Sequence, residues 1–193
     1  MKKRNVRRPT AEAVEKELQR VYYNERYGKT IRSTVYALIT VAAIAVLVAT
    51  LLLPVLQIHG TSMAPTITDG ELVISIKGAN CDKQDVIAFY YNNKILVKRV
   101  IAKSGEWVNI DEYGNVTVNG ELIDEPYLYD KALGECDIEL PYQVPEGRVF
   151  VMGDHRSVSV DSRNTAVGCV AEEQVVGRLA FRIWPLDKVG TLN

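Results

Sequence analysis

Histidine and cysteine are scarce in this 193-residue chain, which has two histidines, His59 and His155, and three cysteines, Cys81, Cys136 and Cys169. No two cysteines stand in C-x-x-C spacing and no histidine cluster completes a zinc site, so the residues offer no site for a metal and none for a cofactor. An odd number of thiols leaves at least one unpaired within a monomer, and the pairing of the others stays open. No segment repeats at a fixed period.

Charge is missing from one long interval. The run VYALITVAAIAVLVATLLLPVL, Val35 to Leu56, has no charged residue in its 22 positions. As a helix it measures about 33 Å, enough for a hydrocarbon core of about 30 Å. It is long for a signal-peptide core, follows a long stretch of chain and precedes no clear small-x-small cleavage site. A retained transmembrane helix is therefore expected, rather than a cleaved leader or a buried core helix.

The flanks of this run are electrically unlike. Residues 1–34 hold ten Lys and Arg against four Glu, a net of +6, so with the whole chain at −1 the remainder from Val35 carries −7. Short basic flanks stay cytoplasmic. The expected organisation is a basic cytoplasmic segment (1–34), a transmembrane helix (35–57) and one extracytoplasmic domain (58–193) in the cell membrane. In the first segment Val14, Leu18, Val21 and Tyr22 recur at helical spacing and Gly28 offers a stop. A helix lying on anionic lipid and a solvated tail both fit that pattern.

Beyond the run the pattern turns strand-like. LVISI (72–76), VIAFYY (86–91), KILVKRVIA (94–102), VTVNGELI (116–123), RVFVM (148–152) and GRLAFRIW (177–184) are rich in β-branched and aromatic residues. Asn92-Asn93 reads as a two-residue hairpin turn, and Tyr127 to Tyr142 as a long surface excursion. A mostly β, antiparallel outer domain follows.

Chemistry enters at HGTSMAPTITDGE, where Ser62 stands directly after the apolar run. An isolated serine beside Gly60 and Thr61 is also an ordinary turn residue. A nucleophile needs a base and oxyanion donors. His59 is too close along the chain to turn onto Ser62, whereas His155 with Asp154 or Asp161 makes one candidate arrangement. Lys98, embedded in ILVKRVIA, makes another; strand alternation places Arg99 on the opposite face, so one of the two is expected to face inward. An inward lysine serves as base only if burial lowers its pKa. In GDHRSVSVDSR, Ser159, Asp161 and Arg163 share one side when extended, with Asp161 and Arg163 able to pair.

Taken together, three segments resemble the type I signal peptidase family of membrane-bound serine endopeptidases. SMAPTI (62–67) resembles the nucleophile box, S-M-x-P-T followed by Leu or Ile. KRVIAKSGE (98–106) resembles the box that begins K-R-V, and GDHRSVSVDSR (153–163) resembles the box G-D-N-R-x-x-S-x-D-S-R. The resemblance implies Ser62 as nucleophile, Lys98 as general base, Ser159 as the hydroxyl that orients it and Asp161 with Arg163 as a structural ion pair. It implies a pocket for small substrate residues lined by Ile58, Met63, Ile67, Leu96 and Val97, a barrel-like β core, and cleavage of signal peptides after A-x-A-like sites.

Three positions depart from the pattern: His155 stands for Asn, Glu106 for Asp, and Gly60 where some members carry a serine that donates to the oxyanion. With Gly60, backbone N–H groups, that of Ser62 first, have to do more. Only five residues separate the apolar run from Ser62, at most about 18 Å of extended chain, so a substrate tethered in the bilayer meets the serine there. The expected partners are membrane-inserted preproteins and the lipid bilayer. A self-cleaving repressor of the related Ser-Lys type has no use for a membrane span, so nucleic acid is not expected. A non-catalytic membrane-anchored β domain that binds a partner and a Ser-His hydrolase through His155 are the alternatives. Self-association stays open.

Overall fold

The computed structural model describes residues 10–78 and 80–192. The chain divides into two compact units, residues 1–50 and 51–193. The first is a helix, α1 (Ala11–Leu52), 42 residues and about 63 Å long at 1.5 Å per residue, with no buried residue. Its most apolar stretch has a mean hydropathy of 2.6, and it is the one helix among the described residues long and apolar enough to cross a membrane. Along it, the hydroxyls of Thr30, Thr40 and Thr50 donate back to the carbonyls of Arg26, Tyr36 and Leu47 at 2.8–2.9 Å. In the apolar run, the Thr40 and Thr50 bonds satisfy polar groups that an apolar surrounding would leave unmet.

Two boundaries differ from the sequence reading. The helix runs through Gly28 without a break, because propensity against one glycine, about 1 kcal/mol, is small beside the bonds of the turns around it. At the other end, Pro54 lacks the N–H that continuation needs and disfavours the α region at Leu53, so the helix stops at Leu52. Residues 55–57, counted with the span on hydropathy, form the first strand.

The second unit is antiparallel β. Its strands are β1 (Val55–Gln57), β2 (Leu72–Ile76), β3 (Val86–Tyr91), β4 (Lys94–Ala102), β5 (Trp107–Ile110), β6 (Val116–Val118), β7 (Glu121–Leu122), β8 (Tyr142–Gln143), β9 (Arg148–Met152), β10 (Val170–Ala171), β11 (Val175–Trp184) and β12 (Gly190–Thr191). Eight form one sheet in the order β1-β2-β11-β3-β4-β9-β10 with β12 on β11, and four form another in the order β7-β6-β5-β8. Among the described residues no pairing joins β1 to β10, so the strand order is open where a barrel-like core was expected.

Turns follow local chemistry. Asn92 and Asn93 adopt φ of 43° and 60°, as a two-residue hairpin requires. VTVNGELI is a hairpin rather than one strand: Asn119-Gly120, φ 55° and 85°, folds β7 back on β6. Three apolar clusters fill the unit. One joins Ile101, Val108, Val116, Phe150 and Met152; another joins Ile87, Phe89, Val100 and Val151. The third, of Ile58, Met63, Ile67, Val73, Val86, Ala88 and Leu179, packs against the segment that carries Ser62.

Candidate active site

Ser62 lies in a loop closed at its base, where Ile58 N–H donates to Glu71 and Gly70 N–H to Ile58, each at 2.9 Å. Inside the loop, Ala64 N–H donates to Thr61 and Ile67 N–H to Met63. Met63 and Ile67 are buried, so the turn bearing the serine is anchored by the core beneath it. Glu71, 2 % exposed, accepts from Arg182 of β11 at 2.7 Å and from Thr68 at 2.8 Å, tying the loop to β11.

Lys98, on β4 opposite Ile87 of β3, brings Nζ to 2.6 Å from Ser62 Oγ and is only 4 % exposed. Burial pushes its pKa down from 10.5 to about 8; Asp161 and Asp154 pull it back up, and the Arg163 cation adds to the fall. A hydroxyl in contact with a buried amine of lowered pKa has the chemistry that a nucleophile and its base require.

Arg99 is buried as well, against the expectation that only one of the pair faces inward. β4 is covered on both sides, and the guanidinium is paired rather than solvated. Its Nε and second amino group donate to Asp154 at 2.9 and 2.6 Å, another donates to the Gln84 carbonyl at 2.7 Å, and the plane stacks on Tyr127 at 3.8 Å. The same Asp154 carboxylate accepts the Thr66 hydroxyl at 2.5 Å. One anion thus joins the Ser62 turn, the Lys98 strand and the loop after β9.

That loop is held by Asp161. Its carboxylate accepts from Arg163 at 2.8 and 2.9 Å, from Ser159 Oγ at 2.7 Å and from Gly153 N–H at 2.9 Å. Burial opposes its ionisation, but the hydrogen bonds and charge of Arg163, with Ser159 and Gly153, prevail and lower its pKa. The Ser159 hydroxyl spends its proton on Asp161; among the described residues Nζ of Lys98 donates to Ser62. A Cβ on Gly153 would lie 2.5 Å from the Ser62 carbonyl oxygen and collide with Ser159, so only glycine allows this approach.

A cleft of about 160 Å³ opens beside the pair, lined by Leu56, Ile58, Met63, Leu96, Val97 and the Ser62–Lys98 contact among others. Four of the five expected pocket residues line it. Ile67 does not: it is 0 % exposed and belongs to the core below. Gly60, φ +93°, stands on the wall with its N–H donated to Asp69 at 2.7 Å.

The histidine arrangement is not assembled. Asp154 and Asp161 are occupied by arginines, and the His155 ring lies on Tyr129, 4.5 Å between centroids. Sequence reasoning also missed Thr66, Glu71, Arg182 and the buried pair Arg156–Glu125. Their signal was faint: one threonine and single charged residues whose partners lie far along the chain. The expected surface excursion is strapped down, since Arg163 donates to the Leu133 carbonyl at 2.6 Å and Asp137 accepts from Thr165 at 2.6 and 2.8 Å. No group of His, Cys, Asp or Glu among the described residues is disposed to hold a metal.

Comparison with known proteins gives the same family. Residues 31–184 match the family model described as signal peptidase, peptidase S26. The chain is 40% identical over 153 residues to Signal peptidase IB of Staphylococcus aureus (strain Mu50 / ATCC 700699), covering 68% of this chain and 78% of that one. It is 33% identical over 191 residues to Signal peptidase I of Bacillus amyloliquefaciens, covering 92% and 93%. A crystal structure of a signal peptidase I from Enterococcus faecalis V583 aligns with TM-score 0.43 and 30% identity over 52% of this chain and 97% of that one. By the family match and the identities to the two sequence relatives, the chain belongs to the signal peptidase family, peptidase S26.

Proposed function

We propose that this chain is a membrane-anchored serine endopeptidase that removes signal peptides from preproteins through a Ser62–Lys98 dyad. The observation that carries the reading is the 2.6 Å contact between Ser62 Oγ and a buried Lys98 whose pKa falls to about 8. Neutral Lys98 takes the proton of Ser62 as Oγ attacks the scissile carbonyl. The Ser62 N–H stabilises the oxyanion, and the lysine returns its proton to the leaving amine; water then attacks the acyl-enzyme with the same base.

Specificity follows from the cleft. The cleft beside the dyad has aliphatic walls of Leu56, Ile58, Met63, Leu96 and Val97, which suits small apolar side chains and supports cleavage after A-x-A-like sites. The basic segment before the apolar helix supports a cytoplasmic N-terminus with the β unit on the other side of the membrane. The test is cleavage of a membrane-inserted preprotein bearing an A-x-A site. Wild type and His155→Ala cut one bond; Ser62→Ala and Lys98→Met cut none. A Ser62→Ala chain that cuts like wild type refutes the mechanism.

A further inference from the structure

We propose that Asp69 is a specificity-determining residue: its carboxylate pins the Gly60 peptide and so fixes the wall of the cleft beside Ser62, a role that rests on the peptidase reading above. The wall turns on a glycine. Gly60, two residues before the nucleophile, has φ of +93° and open space where a Cβ would lie. Such a residue rotates more freely than any other, so the wall keeps one shape only if a group from elsewhere in the chain holds it.

That hold is a single bond. The Asp69 carboxylate accepts the Gly60 N–H at 2.7 Å from nine residues further along. Before Gly60 the wall is already fixed, because Ile58 is buried and forms backbone bonds with Gly70 and Glu71, each 2.9 Å. After it, the Thr61 carbonyl accepts from Ala64 and begins the turn that carries Ser62. His59 and Gly60 lie between these fixed points and line the cleft. Among the described residues no other hydrogen bond ties either of them.

Asp69 can hold the wall because its own base is anchored. Gly70 beside it is bonded to Ile58, and Glu71 beyond that is buried and accepts from Arg182 and Thr68. The carboxylate thus reaches from a segment fixed in the core to one that has no anchor of its own. His59 offers it a second partner, with Nδ1 4.0 Å away, but these side chains are 77 % and 65 % exposed, and a pair so placed contributes little. The bond to Gly60 needs an acceptor oxygen and not a charge, which makes the two contacts separable. Asp69 itself does not line the cleft and bonds neither Ser62 nor Lys98, so its removal acts on substrate selection and leaves the chemical step alone.

The experiment measures kcat and KM for the full chain in detergent on preproteins with Ala or Val before the cut, with Asp69→Ala and Asp69→Asn. One hydrogen bond sets the scale, so Asp69→Ala should raise KM for the Ala substrate about fivefold and shrink the preference for Ala over Val by a similar factor. Its kcat and unfolding midpoint stay unchanged, and Asp69→Asn, which keeps an acceptor oxygen, behaves as wild type. Hydrogen exchange at the Gly60 amide, which needs no substrate, should quicken about fivefold in Asp69→Ala alone. Unchanged selectivity or unchanged exchange in Asp69→Ala overturns the proposal, as does a loss confined to kcat. An Asp69→Asn chain as impaired as Asp69→Ala overturns it too, by pointing to the charge and not the bond. Should Asp69→Ala fail to fold, Asp69→Ser, whose hydroxyl is too short to reach Gly60, is judged by the same criteria. A wild-type chain with a protected Gly60 amide that cleaves nothing sinks the peptidase reading instead, and this role with it.

Discussion

Replacing Lys98 with Met moves activity and stability in opposite directions. Burial lowers the amine from 10.5 to about 8. At 1.36 kcal/mol for each tenfold change, the charged amine is roughly 3 kcal/mol less favourable in the folded chain than in the unfolded one. Between about pH 8 and pH 10.5 the unfolded chain keeps a proton that the folded chain has released, so stability rises with pH across that window and falls as pH drops through it. Met has similar length and no charge to desolvate. At about pH 6.5 the variant should resist urea by up to about 3 kcal/mol more than wild type, and near pH 10.5 the gap should close. Fluorescence of Trp107 and Trp184 follows the unfolding of the full chain in micelles. The variant should cut nothing, while wild-type kcat/KM climbs about tenfold per pH unit below 8 and levels above it. A Lys98→Met chain no more stable than wild type at the lower pH, or a wild-type rate flat from about pH 6 to pH 9, refutes the argument.

Other perturbations have expected outcomes of their own. Arg99→Met leaves the Asp154 carboxylate buried and unpaired, and a loss of about 3–5 kcal/mol should appear in urea titration together with loss of cleavage. Ile67→Ala should cost about 2–5 kcal/mol of stability with little change in cleavage-site choice, since the side chain is core and not cleft; a changed preference by mass spectrometry of the products would contradict that. Gly153→Ala drives a methyl group toward the Ser62 carbonyl, so kcat should fall by more than about tenfold while the far-UV spectrum is retained.

Much of the second unit was legible because strands announce themselves by β-branched runs. β2, β3 and β4 begin and end where LVISI, VIAFYY and KILVKRVIA do. The β6–β7 hairpin was misread as one strand although Asn119-Gly120 carries a strong turn signal; the run of apolar residues on both sides outweighed it. Short strands such as β8, β10 and β12 owe their form to the partner they lie beside, which no local pattern records. Lys98 and Ser62 stood out as types suited to a reaction. The pairing of Arg99 with Asp154 did not, because strand alternation allows only one of Lys98 and Arg99 to face inward, and only the arrival of a carboxylate 55 residues later makes burial of the second tolerable. Ile67 was assigned to the pocket by the family resemblance, but the turn at residues 61–67 places it in the core. Gly28 has the look of a helix end only when the turns on either side are ignored.

The carboxylate of Asp154 also bears on timing. Ser62 and Lys98 leave the ribosome well before it, yet Thr66 near the one and the buried Arg99 beside the other gain their shared carboxylate only when Asp154 arrives. A nascent chain that ends before residue 154 therefore holds both reacting groups without the anion that sets them. It is expected to be inert as a peptidase, which a ribosome-stalled chain of that length can check. On the proposed reading, proteolytic competence then waits until about four fifths of the chain exists.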